Sequence, residues 1–157
     1  MGYEKMETAD QQKTRYKTFT YKTNVTWTGG KAGTLSSDGK PPFRVASPPE
    51  FKGESGVWTS EDLFVASVEI CHMSTFLAYA SRRDLPLIAY QSHANGVLEF
   101  IDGEYRFTRI VLFPTITVDQ SAKEEDVYAM LREAHKHCLV ANSIASIVEV
   151  NPTIMMQ

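Results

Sequence analysis

The sequence predicts a single α+β domain with the element order βββ-α-βββ-α-β. Three observations carry that reading. Apolar and aromatic residues recur at every second position before residue 50, the period of a half-buried strand. A run from Leu63 to Ala80 is apolar on nearly every side, as a buried helix is. Later, Val127, Met130, Leu131, Ala134 and Cys138 recur at helical spacing. The chain has 157 residues, 43% hydrophobic and 22% charged, which suits one globular domain with its own core. Its boundaries are set as a polar lead over residues 1–14 and the domain over 15–157.

Taken in order, Arg15 to Thr28 places Phe19, Tyr21, Val25 and Trp27 at period two and reads as the first strand. Gly29-Gly30 turns the chain, and Lys31 to Ser37 returns as its hairpin partner before Asp38-Gly39. Phe43 to Ser47 is a short third strand between proline pairs, and Pro48 to Trp58, with two prolines and two glycines, is loop. Thr59 caps a long helix whose first turn carries Glu61 and Asp62, acids that the helix dipole favours. This helix runs to about Arg83, where Asp84 and Pro86 stop it. Pro86 to His93, Gly96 to Ile101 and Tyr105 to Val118 read as three strands, with turns at Asn95-Gly96 and Asp102-Gly103. Pro114 marks an edge or a bulge in the last of them. Ser121 and Glu124 form a capping box that opens an amphipathic helix. A short helical piece around Asn142 and a closing strand from Ile147 to Val150 complete the domain.

Charge and composition narrow the function. A net charge of −3 without a basic run argues against nucleic acid as a partner. No apolar stretch reaches the roughly 18 residues of a membrane span, and the amino terminus lacks the apolar segment of a signal peptide. The expected location is therefore cytoplasmic. There a lone pair of cysteines serves as packed thiol, catalyst or redox sensor rather than as a structural disulfide.

Cys71 and Cys138 are that pair. Cys71 is flanked at helical spacing by Ser67, Ser74 and Thr75, small residues that leave an approach to its sulfur. Cys138 lies on the apolar stripe of the second helix, so the two thiols can meet where the helices pack. Inert packing is one reading, because free cysteine behaves as a small hydrophobe. Redox chemistry is the second. Metal binding is the third and weakest, since His135 and Cys138 share a face but Cys71 and His72 diverge. A catalytic thiol needs a cation to hold its thiolate, because Cys71 lies well past the helix amino terminus. Lys31 and Arg44 are the candidates, with Glu61 as the carboxylate that orients them. Glu61 is ten residues before Cys71, roughly 15 Å along a straight helix, so it acts at that sulfur only through a bend, a bridging cation or a partner subunit.

The segment Trp58-Thr-Ser-Glu61-Asp-Leu-Phe-Val-Ala-Ser-Val-Glu-Ile-Cys71 resembles the pattern N-P-E-x-L-x-A-A-x-x-A-A-C, and Ala134-His-Lys-His-Cys138-Leu-Val-Ala-Asn142 resembles A-H-x-x-C-P-x-S-N. With Trp27-Thr-Gly-Gly-Lys31-Ala-Gly and Leu35-Ser-Ser-Asp-Gly39, these segments resemble the OsmC/Ohr family of osmotically induced proteins and organic hydroperoxide reductases, from about residue 20 to the end. The resemblance implies an OsmC-like intertwined homodimer with a long buried central helix and active sites at the subunit interface. It implies a thiol peroxidase without a cofactor that reduces organic or lipid hydroperoxides. Cys71 becomes a sulfenic acid, Cys138 closes a disulfide with it, and a dithiol such as a dihydrolipoyl protein reduces the pair. Glu61 falls at the carboxylate that orients an arginine beside the thiolate. The chain departs from the pattern at that arginine: Lys31 and Glu50 stand at the two places where branches of the family carry it, and lysine cannot make the planar bidentate contact. Leu139 replaces the proline after the second cysteine, and His72 the aromatic after the first. The alternative is an OsmC-like redox-sensing or small-ligand-binding protein that has kept the thiols and lost turnover.

Overall fold

The computed structural model describes residues 16–157. The polar lead and Arg15 lie outside the described residues. Three strands open the fold as an antiparallel sheet in the order β1-β2-β3: β1 (Asn24–Gly29), β2 (Ala32–Ser36) and β3 (Phe43–Ala46). The first strand is shorter than the alternation suggests. It begins at Asn24, which pairs with Ser36, the last residue of β2. Upstream of that pair no strand among the described residues faces the chain, and Phe19 and Tyr21 stand 73% and 90% exposed. The proline-rich loop after β3 contains one 3-10 turn, Pro49–Phe51.

Helix α1 (Ser60–Arg82) starts where the sequence places it. The Thr59 hydroxyl accepts from the Asp62 amide at 3.1 Å, and the Thr59 amide donates to the Asp62 carboxylate at 3.0 Å, a complete capping box. Its burial differs from the all-round burial predicted. Within one chain only the stripe Val68, His72, Phe76 and Ala80 is buried, and Ile70 is 59% exposed. Among the described residues, Ile70, Ser74 and Ala78 on the other side of α1 stay exposed. By length and composition alone α1 could cross a membrane, contrary to the expectation that no apolar stretch reaches that length; here its buried stripe packs on α2 and β4.

Two long strands follow, β4 (Leu87–Ile101) and β5 (Glu104–Val118), paired antiparallel. Asp102 and Gly103 form the turn predicted there, both at positive φ (54° and 85°), as a two-residue hairpin loop requires. Asn95-Gly96 is not a turn. Asn95 pairs with Val111 and Gly96 with Ile110, so the two expected strands are one. Glycine is needed at 96 because α1 crosses close over it: a Cβ would run into the Val65 side chain and come within 2.9 Å of the Phe107 ring.

β5 is central in its sheet rather than an edge. Two short strands, β6 (Ile147–Val150) and β7 (Thr153–Met156), run parallel to it in tandem along its second side. β6 covers Arg109 to Leu112 and β7 covers Thr115 to Val118. Pro114 falls in the gap between them, where β5 meets neither strand. β7 was not expected from the sequence.

Helix α2 (Glu124–Lys136) buries Val127, Met130, Leu131 and Ala134, as the spacing predicts. The predicted capping box is absent: Lys123 is the N-cap and makes no side-chain cap bond. The Ser121 amide is taken by the Asp119 carboxylate at 2.8 Å in a local turn, so the helix opens at Glu124 with three acids in its first turn. A 3-10 turn, Ala141–Ser143, follows near Asn142 as predicted. The core has two parts. Phe76 and Ala80 of α1 meet Ile116, Val118 and the buried face of α2 in one. Val68 meets Ile110 and Leu112 in the other.

Candidate active site

The two cysteines come together from different helices. Cys71 sits mid-way along α1, half-buried, and Cys138 lies just past the end of α2, 1% exposed. The Cys138 and Cys71 side chains lie close enough to influence each other, and both are free thiols. Burial pushes the Cys138 thiol up to about 11, and the neighbouring Cys71 sulfur pushes the same way. The backbone at Ala141 and Val140, at the start of the 3-10 turn, opposes the rise. That short turn therefore has a use: it tempers the effect of burial on the Cys138 thiol.

The hydroxyl residues around Cys71 do something other than edge its sulfur. Ser74 and Thr75 donate to the Cys71 carbonyl at 3.1 and 2.8 Å, and Ser67 donates to the Phe64 carbonyl at 2.7 Å. They turn back onto the helix and keep that side of Cys71 small without binding the thiol.

The predicted cations are engaged elsewhere. Lys31 donates to the Phe51 carbonyl. Arg44 forms a two-pronged pair with Glu54: Nη2 lies 2.6 Å from Oε1 and Nε 3.3 Å from Oε2, while Nη1 reaches the Thr28 hydroxyl at 3.4 Å. The orienting carboxylate for Arg44 is thus Glu54, which the sequence reading did not single out. Its signal lay in the strand-to-loop reversal after β3, which brings residue 54 back beside residue 44. Glu61 accepts from the Ser60 hydroxyl and opens into a cleft of about 1020 Å³ between the β3–α1 loop and the β4–β5 hairpin. Neither cysteine lines that cleft. Within one chain, then, the structure joins Cys71 to Cys138 and leaves Glu61, Lys31 and Arg44 apart from them.

His72 is the residue whose environment the sequence reading passed over. It is 1% exposed, and neither ring nitrogen has a hydrogen-bond partner. Burial lowers its pKa to about 4, and the His135 charge across the seam adds to the effect. Its place on the stripe Val68, His72, Phe76, Ala80, four residues apart each time, was the available signal. Among the described residues no three His, Cys, Asp or Glu side chains gather to hold a metal, so His135 and Cys138 have no third ligand.

The OsmC-like protein family model matches residues 53–153 of the chain, which takes in α1, α2, β4, β5, β6 and both cysteines. The chain belongs to the OsmC family. This OsmC-like chain is 22% identical over 129 residues to the uncharacterized protein YmaD of Bacillus subtilis strain 168, covering 79% of the chain and 85% of that protein. Its fold is similar to that of an OsmC-like protein of unknown function from Vibrio cholerae, with a TM-score of 0.80 and 24% identity over 86% of this chain and 99% of that one. It is also similar to an organic hydroperoxide resistance protein from Legionella pneumophila, with a TM-score of 0.69 and 22% identity over 89% and 99% of the two chains. A third similar structure is the organic hydroperoxide resistance protein OhrB of Bacillus subtilis, with a TM-score of 0.62 and 21% identity over 87% and 98%.

Proposed function

We propose that this OsmC-like protein is a thiol peroxidase that reduces organic hydroperoxides to alcohols in the cytoplasm. The observation that carries the proposal is the proximity of Cys71 and Cys138, close enough for the first to raise the second, two free thiols brought together from separate helices in a fold shared with organic hydroperoxide resistance proteins. Cys71 is the more exposed sulfur and attacks the terminal peroxide oxygen, the O–O bond breaks, and the alkoxide leaves as alcohol. Cys71 is then a sulfenic acid. The buried Cys138 sulfur displaces its hydroxyl as water and closes the disulfide, which an external dithiol reduces. Apolar side chains on the two helices favour an organic peroxide over hydrogen peroxide.

The cation comes from a second copy of the chain in this proposal. Ile70, Trp27 and Val25 leave apolar surface open on α1 and β1, which supports a homodimer. Arg44 is the better of the two candidates, because Glu54 already presents its guanidinium as a planar fork. Lys31 is the other.

Stopped-flow reaction of the reduced protein with cumene hydroperoxide, followed by mass spectrometry, tests the proposal. Rapid formation of one intramolecular Cys71–Cys138 disulfide and its loss in Cys71→Ser are expected. Peroxide consumption no faster than that of a free thiol would overturn it, leaving a redox-sensing or small-ligand-binding role.

A further inference from the structure

The cleft that Glu61 opens into carries an imbalance of charge. Five carboxylates line it, those of Glu50, Glu54, Glu61, Asp62 and Glu69, and among the described residues no lysine, arginine or histidine does. Two of the five are answered: Arg44 holds Glu54, and Asp62 closes the capping box with Thr59. Glu61 accepts from the neutral Ser60 hydroxyl, and Glu50 is exposed. Glu69 brings to the cleft a carboxylate whose Oε1 is buried without a hydrogen-bond partner among the described residues. Beside these acids the cleft is aromatic. Phe51 and Tyr105 meet edge to face at 5.5 Å, and Trp58 stands open with them. Carboxylates among aromatic rings suit cations carried on apolar stems.

The same chain carries the complement. Residues 16–23, which lead into β1, hold Lys17 and Lys22, no acid, and the rings of Tyr16, Phe19 and Tyr21. In extended backbone Phe19 and Tyr21 fall on one side with Val25 and Trp27 of β1, and all of these stand exposed. The arm is tied to its own chain at its end, where the Ser37 hydroxyl donates to the Lys22 carbonyl at 3.0 Å. No described residue before Pro48 lines the cleft, so the arm does not fill the cleft of its own chain. We propose that residues 16–23 of one copy lie in the carboxylate cleft of a second copy, rings against its aromatic lining and the Lys17 and Lys22 ammonium groups against Glu50 and Glu69. The inference rests on the homodimer proposed above and names the segment that joins its halves. A two-fold pair seats both arms in both clefts at once, so the contact closes on itself. Because arm and cleft are complementary within one sequence, the occupant is a second copy rather than a different protein.

Charge reversal in the full-length protein tests this by sedimentation equilibrium. Lys17→Glu with Lys22→Glu sets an acidic arm against an acidic cleft, and Glu50→Lys with Glu69→Lys sets a basic arm against a basic cleft. Each double variant should raise the dissociation constant of the dimer by about tenfold or more, through like-charge contact. Mixed in equal amounts, the two should pair with each other at close to the unaltered affinity, since every arm then meets a cleft of opposite sign. Circular dichroism confirms folding. Where Glu69→Lys unfolds the chain, Glu50→Lys alone, at an exposed position, takes its place in the mixture. Folded variants that dimerise as tightly as the unaltered protein overturn the inference. So does a mixture that pairs no better than its parts, the result expected if each arm folded into its own cleft. An unaltered protein that sediments as one chain overturns the homodimer reading as well, whereas an intact dimer indifferent to these charges overturns the inference alone.

Discussion

A neutral imidazole sealed in an apolar seam makes the fold acid-sensitive. In the unfolded chain His72 takes up a proton near its ordinary value of about 6.5, whereas burial holds it neutral in the folded protein down to about 4. Between those values the unfolded state binds more protons, so stability is complete above pH 6.5 and falls as pH drops toward 4. The slope is about 1.4 kcal/mol per pH unit, about 3 kcal/mol across the window. Urea melts at pH 7 and pH 4.5 should show this loss, and His72→Phe should remove most of it. A variant that loses stability on acidification as steeply as the unaltered protein would place the sensitivity elsewhere. The same residue shows what sequence could and could not reveal at this scale. The meeting of Cys71 and Cys138 was legible from their core-facing positions on two helices. The orphaned imidazole was not, because its burial depends on which face of an apolar-all-round helix the sheet covers. Nor was the Arg44–Glu54 pair, since a loop reversal sets it rather than any spacing motif.

At the scale of elements, two similar dipeptides took opposite parts. Asp102-Gly103 turns because both residues occupy positive φ. Asn95-Gly96 runs straight through β4, because its glycine answers a close approach by α1. Flanking alternation could not tell them apart, since continuous strand and hairpin share the period of two. Gly96→Ala should therefore destabilise by overpacking, about 1–3 kcal/mol, with Val65 and Phe107 forced aside. Denaturant unfolding measures it, and an unchanged midpoint would mean α1 lifts freely from the sheet. The helix starts teach the converse lesson. Thr59 was legible because its partner Asp62 stands three residues on and nothing competes for either group. Ser121 had Glu124 at the same spacing, but Asp119 captured its amide first. Thr59→Ala should accordingly cost about 1 kcal/mol, and Ser121→Ala close to nothing, in the same melts.

Across the whole molecule, the single chain is unfinished on one side. The element order and the α+β class followed from periodicity, which reports what each segment buries. It does not report against what. α1 has apolar residues all round but a sheet and a helix on only one stripe, and β1 presents Val25 and Trp27 at 68% and 75% exposure. Apolar surface of that extent on a folded chain marks an interaction face. The chemistry points the same way, because Glu61, Lys31 and Arg44 all lie away from the sulfurs within one chain. The homodimer proposed above therefore predicts that sedimentation finds two chains at micromolar concentration. It also predicts that Ile70→Asp, which sets a charge on the open face of α1 without entering its buried stripe, gives a folded monomer. That monomer should keep the Cys71–Cys138 contact but consume cumene hydroperoxide at least tenfold more slowly, because the partner's cation no longer reaches the thiolate. Arg44→Met should slow the intact dimer to a similar degree. A monomeric Ile70→Asp protein with full peroxide turnover would show that one chain supplies everything the reaction needs, and the cation would then have to be sought among the groups within reach of Cys71 itself.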